Sequence, residues 1–295
     1  MHLPNLTAIQ AFRRVVETRS FAHAGADLGM TGSAVSKLVA RLEADLGTRL
    51  LMRTTRVVNI TEAGNMFYES ALRILNEMVA AQEQLASKTA GLCGSLRMSV
   101  PSSFALMCLS PRLPRFLDAY PELALDLALN DRFVDLVQEG FDGAIRIATG
   151  MPDSTLVAKP LGTAPRVTVA SPRYLESAPP LDHPRRLSEH RCLIYSLSMS
   201  QNTWTYAEAG SPVAVEVSGK LRINNSVMLR SALTAGRGVA LTPRFVVADL
   251  LASGELMEVL EDYAPPPHTV YGVVTHQKYL PRKVAAFFEF VKECL

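Results

Sequence analysis

The segment TGSAVSKLVARLE, from Thr31 to Glu43, sets hydroxyls on Thr31, Ser33 and Ser36 and cations on Lys37 and Arg41 among aliphatic residues. At helical spacing Val35, Leu38, Leu42 and Leu46 share one side, while Ser33, Ser36, Lys37, Ala40 and Arg41 face away. Thr31 stands where a side-chain oxygen caps the helix, with Ala34 on its first turn. A slim, hydroxyl-bearing, cationic face fits the major groove of double-stranded DNA. Short side chains let the backbone approach, and Lys or Arg meets guanine or phosphate oxygens. A plain amphipathic surface helix has the same pattern, so the next segment decides. RLLMR and VVNIT are β-rich runs around Thr54 and Thr55. They predict a hairpin whose Arg53, Thr54, Thr55 and Arg56 form a basic wing for the phosphate backbone or the minor groove.

A second group suits a small molecule. In VPSSF, Ser102 and Ser103 follow a strand-like run and open a helix. Free N–H groups and two hydroxyls there suit an anionic effector, and they equally suit ordinary helix capping. Arg146 alternates with Ile145 and Ile147, so it points either into a cleft or to solvent. Asn130, Tyr195, Asn225 and Thr242 each lie near the end of an expected element and complete the candidate effector set. ASPRYL repeats the capping device at Ser171, with Pro172 at the first helical position.

Chemistry of other kinds finds no support. The chain lacks GxSxG, a P-loop, HExxH and a GxGxxG following a strand. Asp126 and Asp142 are far apart in sequence, and nothing pairs them as acid and base. Cys93, Cys108, Cys192 and Cys294 are widely spaced with no CxxC, which argues against a disulfide framework or zinc site and fits a cytosolic compartment. No metal or cofactor is expected. The start, MHLPNLTAIQAF, lacks the basic leader and apolar run of a signal peptide, and no uninterrupted apolar stretch suits a membrane span.

The elements that would position these residues follow from periodicity and charge. Of the 295 residues, 48% are hydrophobic and the net charge is +2, but residues 1–60 hold eight Lys and Arg against four Asp and Glu. A basic head on a slightly acidic body points to a polyanion partner for the head alone. Leu6, Ile9, Phe12, Val15 and Val16 mark a first helix. Ser20 caps a second, whose inner side is Phe21, Ala24 and Leu28 and which Gly29 ends. With the Thr31 helix these make a helix-turn-helix. From Thr61, a long segment places Phe67, Ala71, Ile74, Met78, Ala81 and Leu85 at alternating steps of four and three. That seam suits pairing with the same helix of a second subunit, or packing on its own head.

Beyond it, SLRMSV, LALDLAL, GAIRIA, RVTVA, VAVEV, GVALT and TVYGVVT alternate with helical stretches, which predicts an α/β body with mainly parallel sheets. PLGTAP and the prolines 265–267 read as crossings between two lobes. The expected organisation is a DNA-binding head over 1–60, a linker helix over 61–90 and an effector domain over 91–295. Lobe one is then 91–161 with 268–295, lobe two is 162–267, and a cleft lies between them.

The run from FRRVVETRSF through SAVSKLVARLEADLGTRLLMR to TEAG resembles the N-terminal domain of LysR-type transcriptional regulators. DRFVDLVQEGFDGAIRI and AGRGVALTPRFVV resemble the family's effector domain, so the likeness spans nearly the whole chain. It departs at Gly32, where the family usually has Gln, and at Gly25, where it usually has Ala. The resemblance implies a winged helix-turn-helix, a dimerising linker helix and a periplasmic-binding-protein-like α/β domain of two lobes. It also implies a homodimer or homotetramer on DNA, an inducer in the cleft, and RNA polymerase as a further partner in the bacterial nucleoid. Two rivals are a free solute receptor, which would need a leader and no basic head, and an enzyme, which would need a catalytic motif.

Overall fold

The computed structural model describes residues 5–53, 58–85, 92–151, 156–198, 202–275 and 280–295. It divides into one unit of residues 1–90 with 137–140 and another of 91–136 with 141–295. The first unit opens with α1 (Leu6–Thr18), α2 (Phe21–Asp27) and α3 (Gly32–Leu46). Each begins at a side-chain cap: Asn5 accepts from the Thr7 amide, Ser20 from His23 and Thr31 from Ala34. These caps satisfy N–H groups that the helix leaves without partners. The shared core is Ala8, Ile9, Ala11, Phe12, Val15, Ala24, Val35, Val39 and Leu42. The α3 stripe therefore runs through Val39, while Leu38 and Leu46 pack at its margin. It is wider than expected because α3 packs against both α1 and α2. Leu6 is exposed rather than buried.

The two departures at glycine have a steric reason. A Cβ at Gly25 would lie 2.8 Å from the Met30 carbonyl oxygen and 2.9 Å from the Gly32 nitrogen. At Gly32 it would lie 3.2 Å from the Ala22 Cα. Gly25 is thus more than a propensity cost: the turn between α2 and α3 closes directly onto it.

The hairpin forms as β1 (Leu51–Arg53) and β2 (Val58–Ile60), antiparallel, with Leu51 opposite Ile60. Thr54, Thr55 and Arg56, and the side chain of Arg53, lie outside the described residues. Glu43 ties the wing to α3, its Oε1 accepting from the Leu50 and Leu51 amides at 2.9 and 3.0 Å. Glu43→Ala leaves both amides unpaired, so we expect it to lower the head's unfolding free energy by about 2 kcal/mol. Urea unfolding followed by circular dichroism checks this, and an unchanged midpoint would remove Glu43 as the anchor.

α4 (Glu62–Leu85) starts at Thr61, whose hydroxyl accepts from the Gly64 amide at 2.9 Å. It buries Tyr68, Ala71 and Leu75 in the head core, with Phe67 packed against them. Phe67 meets Phe12 at 5.6 Å between ring centroids. The expected seam is therefore divided, and α4 belongs to the same unit as the head. Phe67, half-buried, and Ala71, fully buried, pack on their own head. Ile74 and Met78 are exposed at 41% and 42%. The side chains of Ala81 and Leu85 lie outside the description.

The second unit has two lobes. Lobe one is built on β3 (Gly94–Val100), β4 (Leu123–Leu129), β5 (Gly143–Ala148), β6 (Val157–Ala164) and, from the C-terminal part, β14 (His268–Val274). The sheet order is β4-β3-β5-β14-β6. β3 is parallel to β4 and β5, and β14 is antiparallel to β5 and β6. Helical segments α5 (Ser102–Phe104, continuing as a π-helical turn to Leu109), α6 (Leu113–Ala119) and α10 (Arg282–Glu293) supply Phe104, Phe116, Phe287, Phe288 and Phe290 to its core.

Lobe two contains β7 (Arg166–Ala170), α7 (Pro172–Leu175), β8 (Leu193–Tyr195), the hairpin β9 (Thr203–Glu208) and β10 (Ser211–Glu216), and β11 (Leu221–Ile223). It continues with α8 (Ser226–Thr234), β12 (Val239–Pro243), α9 (Arg244–Ser253) and β13 (Met257–Val259). β12 and β13 flank β7 antiparallel, while β8 and β11 are parallel. The sheets are therefore mixed, not mainly parallel. β6 pairs with β14 from Val157 to Ala164 with a bulge at Leu161, so lobe one extends through Ala164 and the crossing is at Pro165, the last residue of PLGTAP, rather than at the expected boundary between 161 and 162.

His268 opens β14 at the second crossing. Burial, followed by the charge of Arg166, lowers its pKa to about 4. The unfolded chain binds a proton there from about pH 6.5 downward and the folded chain does not. His268 therefore costs nothing above pH 6.5 and takes stability away as pH falls from about 6.5 to 4. His268→Gln should flatten the fall in thermal midpoint over that window, and an unchanged pH profile would refute it.

Candidate DNA-binding face and effector site

The outward side of α3 presents Thr31, Ser33, Lys37 and Arg41 exposed, with Ala34 and Ser36 half-buried beside them. Thr31 and Ser33 hydroxyls are 3.0 Å apart, which fixes the two at the helix start. The head's cations divide into two groups. On α1, Arg13 pairs with Glu17 at 2.7 Å, and Arg14 pairs with Glu17 at 2.8 Å and Asp27 at 2.7 Å. Lys37, Arg41 and Arg49 have no acidic partner among the described residues. The unneutralised charge of the described head thus includes the face of α3 and the approach to the wing. Such charge is what phosphate contacts need.

In the second unit, the candidate effector residues lie where strands end. β3 leads to Ser102 and Ser103, and its parallel neighbour β4 leads to Asn130 and Asp131. In lobe two, β8 ends at Tyr195, its parallel neighbour β11 leads to Asn225, and β12 carries Thr242 near its end. A parallel bridge from Cys192 to Val239 aligns β8 with β12. Ligands of open α/β sheets bind outside the carboxyl ends of strands, so this placement is the one a small-molecule site requires.

The geometry then corrects several expectations. The Ser102 amide, read as free for an effector anion, donates to Asp131 Oδ1 at 2.8 Å. Asn225 caps α8, its Oδ1 accepting from the Val227 and Met228 amides at 3.0 and 3.2 Å. Its Nδ2 donates across the lobes to Asp131 Oδ2 at 3.4 Å. The phenol of Tyr195 is raised well above its ordinary pKa by burial and, second, by the charge of Asp131. Ser102 and Asn225 thus bond to one carboxylate, whose charge also acts on the Tyr195 phenol. Ser103 is buried within α5.

Arg146 points neither into an open cleft nor to solvent. It is 5% exposed, donates to the Ile145 carbonyl at 2.7 Å and the Ser99 hydroxyl at 2.9 Å, and lies 6.0 Å from the Phe133 ring centroid. Asn130 spends its side-chain oxygen on the Arg132 amide at 2.9 Å, a local turn bond. Thr242 is 2% exposed, and its hydroxyl has no hydrogen-bond partner among the described residues.

Asp131 was not among the expected residues. Its signal was its place: an acidic residue two positions past the end of LALDLAL, beside the start of the next parallel unit. Asp126 and Asp142, far apart in sequence, share Arg97 as a partner. Arg97 pairs with Asp126 at 3.1 Å, and its amide donates to Asp142 at 2.9 Å. Lys283 adds an ion pair to Asp142 at 3.1 Å. Two carboxylates held by cations and an amide form a structural clamp, not an acid–base pair.

Two families match the chain by their models. The bacterial regulatory helix-turn-helix protein, lysR family, covers residues 6–65, and the LysR substrate binding domain covers residues 89–295. An HTH-type transcriptional regulator of Haemophilus influenzae is 36% identical over 96% of this chain and 98% of its own. Among solved structures, CrgA of Neisseria meningitidis, a LysR-type transcriptional regulator, is 32% identical with a TM-score of 0.60, covering 98% of both chains. The full-length virulence activator AphB of Vibrio cholerae is 28% identical with a TM-score of 0.60, covering 99% of this chain and 100% of its own.

Proposed function

The chain belongs to the LysR family of bacterial transcriptional regulators, and from that premise we propose that it reads a specific operator as a homo-oligomer and changes that complex when an effector enters the cleft. It is a DNA-binding regulator with an effector-binding domain, not an enzyme. Among the described residues no helix is long and apolar enough to cross a membrane. The observation that carries the reading is the contrast within the head: the cations of α1 are neutralised in place, and those on the polar face of α3 are not.

In this reading α3 enters the major groove, with Ser33, Ser36, Lys37 and Arg41 toward bases and phosphates. The hairpin bearing Arg53, Thr54, Thr55 and Arg56 tracks the adjacent backbone. Gly32 removes a side chain that could reach adenine, so base reading falls to its neighbours. Two heads then meet half-sites about one DNA turn apart, roughly 34–36 Å. The Ile74 and Met78 side of α4 pairs the chains, RNA polymerase is the onward partner, and the protein works at the nucleoid. The effector cannot act by touching DNA; it acts by favouring one arrangement of the lobes over another.

Footprinting of the purified full-length chain on fragments of its own genome tests this. Protected sites with two half-sites in register with the DNA turn are expected. Binding that follows salt alone, with no preferred sequence, would overturn it.

A further inference from the structure

The effector reading leaves open what the cleft recognises, and the polar groups at the strand ends address that. Asp131 is the charged group that joins the lobes, through the Ser102 amide on one side and Asn225 on the other. No cation lies within ion-pair distance of it among the described residues. Arg146, on β5 of the same sheet, spends two of its donors on Ile145 and Ser99 in lobe one.

An ionised carboxylate accepts about four hydrogen bonds, and two are supplied here, one of them long. Asp131 is half-buried, so its remaining acceptor positions stay open to water or to a ligand donor. The neighbouring groups add a second, independent signal. The Thr242 hydroxyl, 2% exposed, has no hydrogen-bond partner among the described residues. It shares a face of β12 with Ala240, which packs in the cluster against which Tyr195 lies. An acceptor charge, a phenol and a buried hydroxyl thus lie at the ends of three strands, β4, β8 and β12. Close to Asp131 and Asn225 in sequence are large, apolar and exposed residues: Leu129 at 46%, Phe133 at 53% and Met228 at 62%.

Resting on the effector reading above, we propose that Asp131 sets the charge class of the ligand: the cleft takes a small organic cation, an ammonium head on an apolar body. The ammonium meets the free acceptor positions of Asp131. Tyr195 and Thr242 bond to its polar neighbours, and the apolar body lies toward Leu129, Phe133 and Met228. An anionic ligand would face the Asp131 carboxylate at short range with no cation to offset it.

Three probes that differ only in the head group test this on the full-length chain: 2-phenylethylammonium, 2-phenylethanol and 3-phenylpropionate. Calorimetry on the wild type is expected to rank the ammonium at least about tenfold tighter than the carboxylate, with the alcohol between, as opposed charges at a partly buried site should. Asp131→Asn keeps the shape and removes the charge. It is expected to weaken the ammonium about tenfold and to leave 2-phenylethanol within about twofold. The proposal is overturned if the ammonium gives no binding, if the carboxylate binds wild type as tightly, or if Asp131→Asn leaves the ranking unchanged. If Asp131→Asn does not fold, the wild-type ranking alone decides. Operator binding is measured in the same samples. A carboxylate that wins and alters the operator complex removes the cation assignment while the effector reading stands.

Discussion

Replacing both Ile74 and Met78 with aspartate will convert the chain to a monomer and weaken operator binding by at least about 100-fold, because two linked heads gain that much over one. α4 leans on its head through Tyr68, Ala71 and Leu75 and leaves Ile74 and Met78 exposed at 41% and 42%. These two lie four residues apart, on the same side of the helix. Large apolar side chains repeated on one helix face want a partner, and a second copy of the same helix is self-complementary about a two-fold axis. Burying ionised carboxylates face to face costs several kcal/mol each unless they take up protons. Neither residue contributes to the buried head core, so the variant should keep its helix content. Sedimentation velocity and fluorescence anisotropy read the two effects separately. A variant that sediments as the wild type and still binds its operator would place the interface elsewhere.

How far the sequence carried this is best seen at particular residues. The seven strand-like runs became β3, β4, β5, β7, β10, β12 and β14: each is a short aliphatic run between turn residues, buried almost throughout in β5, β7 and β12. β8, β11 and β13 are three residues each, too short for periodicity to show. Pro160 and Gly162, both turn residues, make the second half of β6 read as a lobe crossing. β6 lies at the edge of its sheet, where a proline forfeits no ladder bond, and its pairing with β14 slips between Val270 and Tyr271. The candidate face of α3 can be grouped from the sequence since its residues are contiguous on one helix. The cluster at Asp131 cannot, because Ser102, Asp131 and Asn225 meet only through tertiary structure. No local pattern tells whether an amide at a strand end awaits a ligand or is already bonded to a carboxylate 29 residues away. Tyr68 and Leu75 show the same limit on α4: the 4-3 seam is visible in sequence, but which face the head covers is not.

Lys37→Ala with Arg41→Ala will weaken operator binding about 100-fold or more and reduce the slope of log affinity against log salt by about two units, if both cations meet phosphate. The two side chains are exposed, and neither has an acidic partner among the described residues, so their loss opens no cavity and orphans no carboxylate. Arg14→Ala is the contrasting variant. Arg14 is held by Glu17 and Asp27 at 2.8 and 2.7 Å, and its removal should leave the salt slope unchanged while costing only the small worth of a surface pair. The contrast separates phosphate contact from a general loss of positive charge, since Arg14→Ala also lowers the head's charge by one. Discrimination between bases is a further readout. If Lys37 or Arg41 meets a guanine, its alanine variant should lose preference at one position of the half-site, by about 1–3 kcal/mol, whereas a phosphate contact weakens all sequences alike. Anisotropy titrations at four salt concentrations, on the operator and on a scrambled duplex, measure all three quantities. Should the double variant keep both affinity and slope, α3 does not lie in the groove, and the hairpin alone would have to carry the contact.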